Sequence, residues 1–151
     1  MKNKFFAIII VMIFVGCKTQ EKTAKKISCS GEVTIQYDKI KRSDKLKPIA
    51  KKDLKSFTVY FLSSYHDTIQ GYVNGKKKFE KFVNLDANSD SMKENFIYDY
   101  SQDKETPKLK IMSKTTNKCF DILIDKNYKL IYVFKNNDKW IVRFSNIYYI
   151  N

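Results

Sequence analysis

Glycine and proline are scarce in this chain of 151 residues, which has four of the first and two of the second. So few glycines leave no glycine-rich loop to cradle a phosphate. Histidine occurs once, at His66, which excludes a metal site built on two or three imidazoles. Arginine occurs only at Arg42 and Arg143, among 29 basic side chains. The planar forks that read guanine or clamp phosphate are therefore nearly missing, and positive charge arrives as lysine, which lacks that geometry. Acidic residues number only 16, leaving a net charge of +13 at pH 7. No apolar run approaches the ~20 residues of a membrane-spanning helix. The longest, Phe5 to Gly16, has 12.

What flanks that run gives it a meaning. Lys2 and Lys4 precede it and Cys17 follows it, the layout of a secretory signal with its short apolar centre. Phe14-Val15-Gly16-Cys17 resembles the lipobox of bacterial lipoproteins. Gly16 and Val15 fit that pattern, while Phe14 stands where a branched aliphatic is usual. The resemblance covers residues 1–17 alone. It implies that residues 1–16 are a signal peptide that is removed, and that Cys17 becomes the lipidated first residue, carrying palmitate-type acyl chains. Two or more chains anchor stably, at about 0.8 kcal/mol per buried methylene. Lys18 stands where inner-membrane retention would call for aspartate, which implies the outer membrane, facing the periplasm.

Residues 17–26, with four lysines and no large apolar side chain after the cysteine, read as a flexible tether. Residues 27–151 are then expected to form a single β domain. Removal of Lys2 and Lys4 leaves 27 basic against 16 acidic side chains, a net of +11. Such charge suits anionic lipid or an acidic polymer, and it also serves simply to keep a domain soluble. Secretion and the shortage of arginine argue against nucleic acid.

The body of the chain alternates with period two. Ile27, Cys29, Gly31, Val33, Ile35 and Tyr37 interleave with Ser28, Ser30, Glu32, Thr34 and Gln36, which predicts a strand with one buried face. Further strands are expected around Phe57–Phe61, Ile69–Val73, Phe79–Val83, Phe96–Tyr100, Leu109–Ile111, Phe120–Ile124, Lys129–Lys135 and Trp140–Phe144. Asn74-Gly75 is a strong hairpin signal. Residues 130–134 are apolar on both faces and so belong in the middle of a sheet. Between Asp38 and Lys55 lie eight basic and three acidic residues. Leu46, Ile49, Ala50 and Leu54 there suggest a short helix from about Pro48 to Lys55, with a basic outer face that either meets anionic headgroups or polysaccharide or is merely solvated. About nine strands in all predict an all-β fold. A two-sheet antiparallel sandwich of immunoglobulin-like type is expected, with a small lipocalin-like barrel as the alternative.

Cys29 and Cys119 are left once Cys17 is lipidated, an even pair in an oxidising compartment. They form either a disulfide or two separate thiols, since Cys119 alternates in step with Asp121 rather than with Phe120 and Ile122. Ser63, Ser64, His66 and Asp67 crowd together, but adjacent residues do not converge as a triad does. Asp86, Asn88, Asp90 and Glu94 resemble a calcium loop only faintly, lacking its central glycine. Tyr60, Tyr72, Tyr98, Tyr100, Tyr132 and Trp140 form either a glycan-stacking platform or core. Tyr148-Tyr149 are candidates for exposed binding residues.

These features supply no catalytic residue, metal or cofactor, so the chain is not expected to be an enzyme. The reading is a lipid-anchored envelope module contacting an envelope protein or an anionic glycan. The alternative is a protective inhibitor or immunity lipoprotein directed against a toxin or lytic enzyme.

Overall fold

The computed structural model describes residues 22–23, 29, 31–41, 44, 47–62, 65–85, 94–136 and 139–149. Cys17, the signal segment 1–16 and most of the tether lie outside them. Among the described residues ten strands follow one another: β1 (Lys22–Thr23), β2 (Glu32–Tyr37), β3 (Ser56–Leu62), β4 (Tyr65–Val73), β5 (Lys76–Leu85), β6 (Asn95–Asp99), β7 (Lys108–Ser113), β8 (Cys119–Leu123), β9 (Leu130–Asn136) and β10 (Lys139–Ser145). They form a six-stranded sheet of order β1-β2-β10-β9-β3-β6 and a four-stranded sheet of order β5-β4-β7-β8. The fold is thus a two-sheet β-sandwich and not a closed barrel. Two pairings depart from the antiparallel expectation, because β2 runs parallel to β10 and β3 runs parallel to β9. The strand order differs accordingly from that of immunoglobulin sheets.

Alternation along each strand builds the core. Phe57, Val59 and Phe61 of β3, Leu109 and Ile111 of β7, and Trp140, Val142 and Phe144 of β10 all turn inward and are buried. Between them in chain order, Thr58, Tyr60 and Leu62 turn outward. Strand β9 is the exception that the sequence anticipated, with Leu130, Ile131, Tyr132 and Val133 all buried. It lies between β10 and β3, and its outer face has a cover of its own. Ala50 N–H donates to the Asn146 carbonyl (2.8 Å) and Tyr148 N–H to that of Pro48 (3.0 Å). Ala50 and Tyr148 thereby close over Leu130 and Tyr132 as a second small core.

That cover replaces the helix expected over Pro48–Lys55. Ile49 instead bridges antiparallel to Ile147, drawing the segment into extended pairing before a helical turn can form. Ile49 and Leu54 are left 43% exposed. Asn74 and Gly75 make the predicted hairpin turn between β4 and β5, with φ of 50° and 77°, as a two-residue type I′ turn requires. Lys22–Thr23 pairs with Thr34–Ile35 of β2, so the stretch read as a tether contains a two-residue strand.

Cys29 and Cys119 are joined in a disulfide, their Cα atoms 5.0 Å apart. Alternation within β8 misled because Cys119 is the first residue of that strand, where the chain is still turning. The bond ties the approach to β2 in one sheet to the edge strand β8 of the other. Gly31 makes this closeness feasible: it donates its N–H to the Cys119 carbonyl (3.0 Å). A Cβ on Gly31 would lie 2.7 Å from that oxygen and 3.0 Å from the Trp140 indole. Backbone and a buried ring cannot both yield, so Gly31→Ala is expected to destabilise by about 1–3 kcal/mol, read from the urea midpoint.

Candidate functional site

Parallel pairing decides where the loops gather. Because β2 and β10 run together, and β3 with β9 run opposite to them, the ends of β2, β10 and β6 meet the starts of β3 and β9 at one end of the large sheet. Two neighbouring cavities open there. One, of about 400 Å³, lies among Asp38, Lys39, Ile40, Lys52, Lys126 and Tyr128, with Asn127 and Asn146 behind. The other, of about 280 Å³, lies among Lys52, Leu54, Lys55, Tyr100, Asp103, Lys126 and Lys129. Lys52 and Lys126 border both, so the two form one continuous cleft.

Lys129 is its most unusual member, at only 4% exposure. Its Nζ donates to the Tyr100 hydroxyl (3.1 Å) and to the Lys126 carbonyl (2.7 Å). Its ammonium and that of Lys126 each lie 5.8 Å from the centre of the Tyr100 ring, within cation–π range. Among the described residues no carboxylate lies within ion-pair distance of Lys129. A buried cation held by neutral acceptors and a ring, rather than by an acid, leaves positive potential directed into the cleft.

The walls are firmly built. Asn146 accepts the Lys129 backbone N–H (2.9 Å) and donates to the Asn127 carbonyl (2.8 Å). Asp44 accepts from the Lys41 N–H (2.8 Å) and Lys47 Nζ (2.9 Å), bonds that hold its carboxyl below the ordinary pKa. Asp38 accepts from the Tyr149 hydroxyl (2.9 Å). Burial, reinforced by that carboxylate, pushes the Tyr149 phenol up to about 12. Asp103 accepts from Tyr98 (3.0 Å) and Asn74 (3.2 Å). Lys39, Lys52, Lys55 and Lys126, by contrast, are exposed.

The other residues singled out by sequence fall elsewhere. Strand alternation sends Asp67 inward and His66 outward, where His66 meets Asn84 (3.2 Å) and Phe82. Ser63, Ser64, Asp86, Asn88 and Asp90 lie outside the described residues. Glu94 pairs with Lys81 at 2.6 Å. Among the described residues no group of three His, Cys, Asp or Glu side chains is placed to hold a metal ion. Nor is any helix there long and apolar enough to cross a membrane. Tyr100, Tyr132 and Trp140 are buried, Tyr60 stacks on Tyr132, and the half-exposed Tyr72 and Tyr98 are bonded to Gln70 and Asp103. That is core and rim packing rather than a platform. Tyr148 packs over the second small core, whereas Tyr149 is 42% exposed, as expected, with its ring against Tyr132 and its hydroxyl on Asp38.

Asp67 anchors a polar cluster between the sheets. Its carboxylate accepts from Ser113 Oγ, from Thr115 N–H (3.1 Å) and Oγ1 (2.6 Å), and from Lys135 Nζ (3.0 Å). Burial would raise its pKa, but these donors together outweigh burial and lower it. Lys135 Nζ lies 3.3 Å from Ser113 Oγ as well as on the Asp67 carboxylate. The cluster is a strut between the sheets rather than a reactive centre.

Searches against family models, curated proteins and solved structures match nothing to this chain.

Proposed function

We propose that the protein is a non-enzymatic module of the bacterial envelope, tethered to the membrane through acyl chains on Cys17, and that its lysine-lined cleft holds an anionic component of that envelope. The observation that carries this reading is the cleft itself, where four exposed lysines and the buried Lys129 converge from loops far apart in the chain. Charge of this density, without arginine forks, attracts anions by potential rather than by shaped hydrogen bonding. The lipobox-like start supplies the location.

Acyl labelling in the producing cells tests the tether. Cys17→Ala is expected to abolish lipid incorporation and to remove Cys17-dependent membrane association. Unchanged labelling and fractionation would overturn the anchored reading. Pull-down of the tethered domain from intact cells at two salt concentrations tests the partner, and an electrostatically held anion is expected to be lost at the higher one.

A further inference from the structure

We infer that the cleft end of the sandwich lies against the membrane that carries the anchor, with its lysines on anionic lipid headgroups and Ile40 and Leu54 entering the interface between headgroups and acyl chains. The inference rests on the tethered reading above and names the anionic component.

Three observations support it. The first is composition at one place: Ile40 is 48% exposed and Leu54 43% exposed, and each lines one of the two cavities beside exposed Lys39, Lys52, Lys55 and Lys126. Exposed aliphatics ringed by lysines are the chemistry of an interfacial surface, whereas a soluble polyanion would need only the charges. The second is the direction of the chain. Strand β1 is antiparallel to β2, with Lys22 opposite Ile35 and Thr23 opposite Thr34. Since β2 runs toward the cleft, β1 runs away from it, and Lys22 is the end of β1 on the cleft side. Cys17 is five residues further back, a reach of at most about 18 Å. The anchor therefore lies within that distance of Lys22. The third is Lys129, a cation fixed by Tyr100 and Lys126 with no acid beside it among the described residues. It keeps the cleft positive without depending on mobile side chains. Asp38, Asp53 and Asp103 line the same cavities and oppose a headgroup, but five lysines, Lys39, Lys52, Lys55, Lys126 and Lys129, outnumber them there.

The test is sedimentation of the full chain with vesicles of zwitterionic lipid alone or with one-third anionic lipid, at low and at physiological salt. The leader and tether are common to all variants, so differences between variants report the cleft. Wild-type protein is expected to bind the anionic vesicles more tightly, and Lys52→Gln/Lys126→Gln to lose about 30-fold of that increment at low salt. Ile40→Ser/Leu54→Ser is expected to lose the part that salt does not remove. Both pairs are exposed, and Lys126→Gln alone, with an unchanged circular dichroism spectrum, guards against a folding defect. Equal binding of wild type and variants, or equal binding to both vesicle types, would overturn the inference. So would saturable binding of a soluble acidic oligosaccharide at the cleft with no response to lipid charge, which would leave the tethered-module reading standing. Failure of acyl labelling at Cys17, by contrast, would sink that reading while the vesicle result still judged the cleft.

Discussion

Asp67→Ala is expected to lower stability by about 3 kcal/mol, near the lower end of the range for breaking a buried ion pair. Three kinds of donor converge on that carboxylate: the Ser113 hydroxyl, the Thr115 amide and hydroxyl, and the Lys135 ammonium. Removing the acceptor strands all of them, and Lys135 keeps only 17% side-chain exposure through which water could compensate. Because the pair joins β9 of one sheet to β4 of the other, the loss should appear in global unfolding rather than in local fraying. A companion measurement separates charge from shape. Asp67→Leu with Lys135→Met removes both ends of the ion pair and should recover only the part of the loss that belongs to it, the Ser113 and Thr115 donors being left without their acceptor. Acid unfolding provides the sign. The folded Asp67 pKa is lowered, so its contribution is complete above the unfolded value near 3.9 and is lost as pH falls through the folded one. Asp67→Asn should flatten the stability curve in that acid window and leave its neutral limb parallel to wild type. A curve with an unchanged acid limb would contradict the assignment.

Reduction of Cys29–Cys119, or its replacement by a pair of alanines, is expected to cost about 4–5 kcal/mol. The two cysteines are 90 positions apart, and closing a loop of that length restricts the unfolded chain by roughly this much in the chain-entropy model. Both residues are buried, Cys29 at 4% and Cys119 at 6% exposure, so reductant should act only through unfolding. Urea midpoints with and without dithiothreitol measure the difference. A shift of less than about 1 kcal/mol would mean that the bond does little for the fold. The same loss is expected in any reducing compartment, which ties the protein's stability to an oxidising one.

Most of the architecture was legible because the strands alternate. All nine expected strands are found, and the two-faced run at 130–134 does occupy the interior of the larger sheet. Pairing direction was not legible, since nothing in the period of β2 or β3 says whether its neighbour runs with it or against it. The helix expected at Pro48 failed for a related reason: Ile49 finds its partner at Ile147, almost a hundred positions away. The candidate site was half visible. The charge concentration between Asp38 and Lys55 contributes Lys39, Lys52 and Lys55 to the cleft. Lys126 lies between two expected strands with nothing to single it out, and Lys129 stands at the head of an apolar run. Local sequence gives no sign that a lysine in such a position is buried against Tyr100.

The parallel pairs have a consequence in time as well as in space. Gln36 and Arg143 are bonded across 107 positions, and β3 meets its β9 neighbour only after some seventy intervening residues. A sheet with such distant pairings has high contact order, and proteins of that kind fold in milliseconds to seconds rather than microseconds. A chain presented from its N-terminus, whether by a ribosome or by an export channel, displays β2 and β3 long before β10 and β9 exist to cover them. Until residues 139–145 arrive, β2 has nothing to join it to the rest of the larger sheet, although β3 can already pair with β6 and β9. Completion of the larger sheet is thereby postponed to the last stage of delivery, which leaves its apolar face open to misassociation until then.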